Sequence, residues 1–285
     1  MRGNFEYVRT RSIGEATRHL ADAEGHAAVL AGGTDLLVNV RNGLATPALL
    51  VDIKGIEALD RLDVSKNDRT ATIGASVPLN RIAENTTIRN LFPALAEAAL
   101  SIATYQLRNR ATLVGNLCNA SPASDSLPPL LVLGARLHVH GEEGEREIPL
   151  REFCTGVKQT CLRADEVVTE VRIPQLLDGA TTGFIKQQRI RGHDLAVVNV
   201  AGALLPGDKT LTIAIGSCGP TPVLLEPIDL GSHSPKTLVE EAIRSARAAV
   251  SPISDVRASA EYRSAVLPVL VRRLVERLLD EQGGA

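Results

Sequence analysis

The feature that most constrains this chain is an apolar run that stops on two glycines. Ala27 to Ala31 is short, unbroken and apolar, as a buried strand requires. Gly32-Gly33-Thr34-Asp35 breaks it, and Leu36, Leu37, Val40 and Leu44 then resume at helical spacing, with Gly43 marking the helix end. A strand, a glycine turn and a helix in that order present inward-facing N–H groups and a positive helix end to an anion such as a diphosphate. The same residues equally make a tight turn with Thr34 or Asp35 as helix cap. Upstream, Ile13, Ala16, Leu20 and Ala23 recur with a helical period, and Ala48 to Ile53 reads as another buried strand. The first segment is therefore helix, strand, turn, helix, strand, a small parallel α/β unit.

From about Gly55 the texture changes to short strands, at Ala71 to Ile73, Arg136 to His140 and Glu166 to Ile173. Glu142 to Glu147 reads as a charged turn before a return strand starting near Ile148. One helix interrupts this set, with Pro93 in its first turn. After Pro174, Phe184 to Ile190, Ala196 to Leu205 and Leu211 to Ser217 form three successive strands, with a turn at Gly207-Asp208. Two helical stretches follow, Lys236 to Val250 and Ala258 to Asp280, and Pro268 predicts a kink or break in the second.

A second glycine-bearing segment, Arg110 to Asp125, is long, polar and poor in bulky side chains. A structureless stretch of that kind inside a compact chain signals function. Thr112, Gly115 and Asn116 suit the other side of a diphosphate, and Asp125 suits a ribose hydroxyl or a ring N–H. The sequence has no GxGxxG after a strand, no GxxxxGK[S/T], no HExxH and no GxSxG, which removes the usual support for a nicotinamide Rossmann domain, a P-loop, a zinc protease and a serine hydrolase.

Composition narrows the classes further. A net charge of −2 with no Trp argues against nucleic-acid binding. No apolar run reaches the roughly 18 residues of a membrane span; the longest candidate, Leu127 to Val139, is broken by Pro128, Pro129, Gly134 and Arg136. The N-terminus lacks a signal-peptide core, so a cytoplasmic location is expected. The four cysteines, Cys118, Cys154, Cys161 and Cys218, form no CxxC pair, which argues against a zinc or iron–sulfur site in this chain. His138 and His140 share a strand face but have no evident third ligand.

The two glycine-bearing segments together resemble the FAD-binding medium subunits of the xanthine dehydrogenase and carbon monoxide dehydrogenase family of molybdenum hydroxylases. That family carries an AGGTDLL-like turn and a T-x-G-G-N loop ending in S-P-x-x-D. Here they read Ala31 to Leu37 and Thr112 to Asp125. Gln106-Leu-Arg-Asn-Arg-Ala-Thr112, Phe184-Ile-Lys-Gln187, Asp194 to Val200 and Asp255 to Arg263 extend the likeness over nearly the whole chain. The resemblance implies an α+β fold. Two FAD-binding subdomains of the vanillyl-alcohol-oxidase (PCMH) type, residues 1–55 and 56–176, precede a C-terminal domain, residues 177–285, with a three-stranded antiparallel sheet and a helical bundle.

It implies FAD as this chain's cofactor. The diphosphate neighbourhood is Val29, Leu30, Ala31, Gly32, Gly33, Thr34, Asp35 and Leu36 with Thr112, Leu113, Val114, Gly115 and Asn116. Ala103 and Cys118 lie close to the cofactor, Asp125 bonds it, Leu162 and Val168 pack on its rings, and Lys186 approaches the isoalloxazine, unless Lys186 is a solvated strand-edge lysine. Val114 departs from the family's first glycine, and a Val disfavours positive φ. His193 falls in a variable loop, Gln187 to Leu195, near the flavin. No residue is expected to act as a catalytic acid or base.

The implied partners are a large subunit with a molybdenum–pterin cofactor and a small subunit with two [2Fe–2S] clusters, in a dimer of heterotrimers. This chain would take electrons from the clusters and pass them to an external acceptor. Two alternatives stay open: a stand-alone flavin-dependent oxidase of the same FAD-binding fold, and an assembly protein that has lost FAD.

Overall fold

The computed structural model describes residues 5–190 and 192–283. Met1 to Asn4, on which the expectation about a signal peptide falls, Arg191 of the variable loop, and Gly284 and Ala285 lie outside them. Among the described residues the chain builds three larger sheets in chain order and one two-stranded hairpin.

The first contains β1 (Glu6–Arg9), β2 (Ala27–Leu30) and β3 (Leu49–Asp52), in the order β1-β3-β2 with both pairings parallel. Helix α1 (Ile13–Asp22) joins β1 to β2. Ser12 Oγ accepts the Glu15 N–H at 3.2 Å and Glu15 Oε2 accepts the Arg11 N–H at 2.7 Å, so side chains satisfy donors at the helix start in both directions. Helix α2 (Leu36–Arg41) follows the glycine turn, and Gly43 at φ +72° ends its last turn. Strand β1 was not expected from sequence, because its exposed Glu6, Tyr7 and Arg9 leave no apolar run to read.

The second sheet, β4 (Leu62–Ser65), β5 (Thr70–Gly74), β6 (Arg136–Gly141), β7 (Gly144–Pro149) and β10 (Val167–Ile173), is antiparallel in the order β4-β5-β10-β6-β7, with β8 (Cys154–Gly156) and β9 (Gln159–Thr160) as a separate hairpin. The return strand begins at Gly144, earlier than expected. Its charged residues pair with β6, Glu145 opposite His140 and Glu147 opposite His138.

Six short helices stand where one was expected: α3 (Leu79–Glu84), α4 (Thr86–Leu91), α5 (Pro93–Ser101), α6 (Tyr105–Arg108), α7 (Leu113–Cys118) and α8 (Leu127–Val132). Segments of four to six residues are too short to display a helical period. Caps betray three of them. Asn85, Thr104 and Thr112 accept the N–H groups of Ile88, Leu107 and Gly115. The stretch from Arg110 to Asp125 is therefore not structureless, since it holds α7.

The third sheet extends beyond three strands. β11 (Thr181–Gln187), β12 (Val198–Leu205) and β13 (Thr210–Gly216) are joined by two-residue strands β14 (Val223–Leu224) and β15 (Ile228–Asp229), both against β13. β12 feeds two cores by alternation. Ala201 and Ala203 join the large core shared with the first two sheets, while Val198, Val200 and Leu204 face a second core with α9 (Pro235–Ala249) and α10 (Ala260–Gly283). Helix α10 continues through the buried Pro268, so the chain does not break there. Because α5 and α8 pack on this sheet, the α5–α6 turn and the end of the polar segment meet β11 and β12. Among the described residues, no helix is long and apolar enough to cross a membrane.

Candidate functional site

The two glycine-bearing segments meet backbone to backbone. A Cβ on Gly32 would lie 2.2 Å from the Arg110 carbonyl oxygen and 2.9 Å from the Ala111 Cα. Gly33 has φ +73°, and its Cβ would meet Leu30 Cδ1 at 2.9 Å and Leu37 Cδ1 at 3.0 Å. Gly32 thus lets the two stretches of protein approach, while Gly33 makes the tight turn within its own segment. A side-chain contact repeats the link: Asn119 Nδ2 donates to Asp35 Oδ1 at 3.3 Å. Asp35 occupies the cap position of α2 without a side-chain bond to its amides. Val29, Ala31, Thr34 and Leu36 around this turn are half-buried and Leu30 is buried.

On the other segment, Thr112 Oγ1 accepts the Gly115 N–H at 3.0 Å, starting α7. Leu113 and Val114 are buried in the core. Val114 is helical, with no positive φ, so its replacement of glycine brings no backbone conflict. Gly115 is exposed and Asn116 half-buried. Both Ser124 Oγ and Ser126 Oγ donate to Asn116 Oδ1 at 2.6 Å. That pair fixes the amide oxygen inward and leaves Nδ2 as the end available to a ligand oxygen.

Asp125 is buried and fully engaged within the protein. Its Oδ2 accepts Lys186 Nζ at 2.6 Å and its Oδ1 accepts Asn199 Nδ2 at 2.7 Å. Burial pushes the Asp125 carboxyl up, against the lowering pull of Lys186 and Asn199. Lys186 also donates to the Ser101 carbonyl at 3.1 Å, and its side chain is 6 % exposed. It is therefore a buried, paired cation and not a solvated edge lysine. Asn199 is fully buried; its Oδ1 has no hydrogen-bond partner among the described residues.

A cavity of about 450 Å³ opens beside this pair, lined among others by Ser101, Ala103, Tyr105, Arg108, Lys186 and His193. Ala103 and Lys186 are thus brought together on one cavity. His193 is exposed on its rim. Val168 is buried in β10, on which α7 packs, and Leu162 is half-buried against the large core. Cys118 ends α7, where burial pushes its thiol up to about 12. The imidazoles of His138 and His140 share Glu145, at 3.9 and 3.3 Å.

Sequence reasoning passed over Asn199, Ser124 and Ser126. Asn199 lies in an otherwise apolar strand, Val197 to Ala201, and a lone amide there is the kind of signal that marks a buried polar contact. The two serines flank Asp125 within the polar segment, where nothing separates them from ordinary loop residues.

Two family models match the chain. One, described as the FAD binding domain in molybdopterin dehydrogenase, covers residues 3–176, and the other, the CO dehydrogenase flavoprotein C-terminal domain, covers residues 184–278. The chain is 32 % identical over 280 residues to the carbon monoxide dehydrogenase medium chain of Afipia carboxidovorans, covering 96 % of each. It is 29 % identical over 285 residues to the putative xanthine dehydrogenase FAD-binding subunit of Escherichia coli (strain K12), covering 98 % of this chain and 97 % of that one. Among solved structures, a carbon monoxide dehydrogenase from Hydrogenophaga pseudoflava that lacks the Mo-pyranopterin moiety of its molybdenum cofactor matches with a TM-score of 0.92 at 29 % identity, over 99 % of both chains.

Proposed function

The chain belongs to the FAD-binding medium subunits of the carbon monoxide and xanthine dehydrogenase family of molybdenum hydroxylases, and from that premise we propose that it is the electron-transfer subunit of a heteromeric complex. It takes electrons from [2Fe–2S] clusters in a small partner subunit and passes them to an external acceptor. A large partner with a molybdenum–pterin cofactor oxidises the organic substrate, and the whole forms a dimer of heterotrimers. The electron-transfer role and the partners follow from the family; the observation that supports FAD binding in this chain is the close approach of Gly32 to Arg110, which sets the two glycine-bearing segments side by side.

The residues present fit FAD. Gly32 to Leu36 and Thr112 to Asn116 form the diphosphate side, with Asn116 Nδ2 held outward by Ser124 and Ser126. The Ala103–Lys186 cavity takes the isoalloxazine. Bound there, FAD supplies the ability to accept electrons singly and to release a pair. Lys186 contributes a buried positive charge beside the cavity, held in place by Asp125. Burial favours the neutral thiol at Cys118 and Cys154, which suits packing rather than metal ligation. The division near residues 55 and 176 makes the first two units the clasp for FAD and the third its wall at β11.

The test is purification from the native source with identification of co-purifying chains and metals. A large and a small subunit with molybdenum and iron support the reading. A yellow chain that turns over substrate by itself would replace it with a stand-alone oxidase.

A further inference from the structure

Arg108 lies in the motif Gln106 to Thr112 and is only 9 % exposed. Its Nε donates to Asn80 Oδ1 at 2.9 Å. Its Nη1 lies 3.1, 3.0 and 3.2 Å from the carbonyl oxygens of Leu100, Ile102 and Ala103. Asn80, itself buried, donates onward to the Tyr105 carbonyl at 2.9 Å and to Asn109 Oδ1 at 2.7 Å. The carbonyl left over in this turn, that of Ser101, accepts Lys186 Nζ at 3.1 Å. Four consecutive carbonyls are therefore held by two cations. The turn they form includes Ala103 at φ +52°, a conformation an alanine rarely adopts unless its surroundings impose it.

We propose that Arg108 is a positioning residue for the flavin cavity: it pins the Leu100–Ala103 turn, with Ala103 left-handed, into the wall that faces the cavity beside Lys186. The inference rests on the FAD reading above and concerns how the cavity keeps its shape. A guanidinium suits the task because its Nε is fixed by Asn80 while Nη1, in the same rigid plane, sits among the three carbonyls, whereas an ammonium is a single point that cannot hold Asn80 and the carbonyls together. Without the fork, the carbonyls lose their common partner and Ala103 relaxes toward negative φ. The wall then moves away from Lys186, although the cradle at Gly32 and Arg110 is untouched.

The test uses the full chain titrated with FAD, reading the dissociation constant and the visible circular dichroism of the bound flavin. Arg108→Lys should raise the dissociation constant about tenfold, the scale of one lost hydrogen bond to a charged group, and should change the dichroism. Adding Ala103→Gly to Arg108→Lys should recover most of the affinity, since glycine takes the left-handed turn without enforcement. A merely structural arginine would not be rescued by that change. Wild-type affinity and dichroism in Arg108→Lys overturns the proposal. So does a weakened variant that Ala103→Gly fails to restore. A wild-type chain that takes up no FAD overturns both this inference and the reading beneath it.

Discussion

Lys186 Nζ lies 2.6 Å from Asp125 Oδ2, and each side chain is 6 % exposed. Removing one member leaves the other charged and buried, which costs far more than the pair contributes. Asp125→Ala should lower the unfolding free energy of the FAD-free chain by about 3 kcal/mol, read by urea titration. Because the carboxylate holds Lys186 beside the cavity, the change should also raise the FAD dissociation constant through Lys186 rather than through a bond of its own. Replacing both residues by apolar ones of similar size should restore most of the stability but not the FAD affinity.

The adjacent glycines should respond differently to alanine. At Gly32 the new Cβ meets the Arg110 carbonyl, which is backbone and cannot swing aside. At Gly33 it meets the ends of Leu30 and Leu37, which can, so the main cost is the positive φ, about 1 kcal/mol. Gly32→Ala should therefore lose more FAD per chain than Gly33→Ala, as measured by flavin released on denaturation. Equal retention in both would separate the two segments from FAD binding.

Restoring the family glycine at residue 114 should harm the protein. Val114 is buried in α7, so Val114→Gly gives up about 1.5–3 kcal/mol of apolar burial and about 1 kcal/mol of helix preference. The expected outcome is a lower urea midpoint with no gain in FAD affinity. Tighter binding of FAD would show that the valine obstructs the site.

Fold and site were legible to different degrees. The strand, turn and helix around Gly32 could be read because apolar periodicity and glycine punctuation coincide there. β1 could not, because an exposed edge strand has no such pattern, and α6 and α7 are too short to show one. At the site, Asp125 and Lys186 were named separately, yet their pairing was invisible, since 61 residues divide them and only the packing of β11 against the polar segment brings them together. Asn199, on the neighbouring strand, was hidden for the same reason.

The C-terminal domain should show its own pH dependence. Despite the cost of burial, Arg257 and Arg263 hold the Asp255 carboxyl well below the usual carboxylate range. A lowered folded-state pKa stabilises at pH above the unfolded value, near ~3.9, and that contribution is lost as pH falls toward the folded value. Asp255 accepts Arg263 Nη2 at 2.7 Å, and Arg263 is 1 % exposed. Asp255→Asn should cost on the order of 2–3 kcal/mol at neutral pH. Urea titrations should show the gap from wild type narrowing below about pH 4.

The most direct measurement is the flavin stoichiometry of the purified chain, by absorption near ~450 nm and identification of the released cofactor. One FAD per chain is the predicted result. A colourless protein that takes up no FAD on reconstitution, while its far-ultraviolet dichroism shows it folded, would contradict the account.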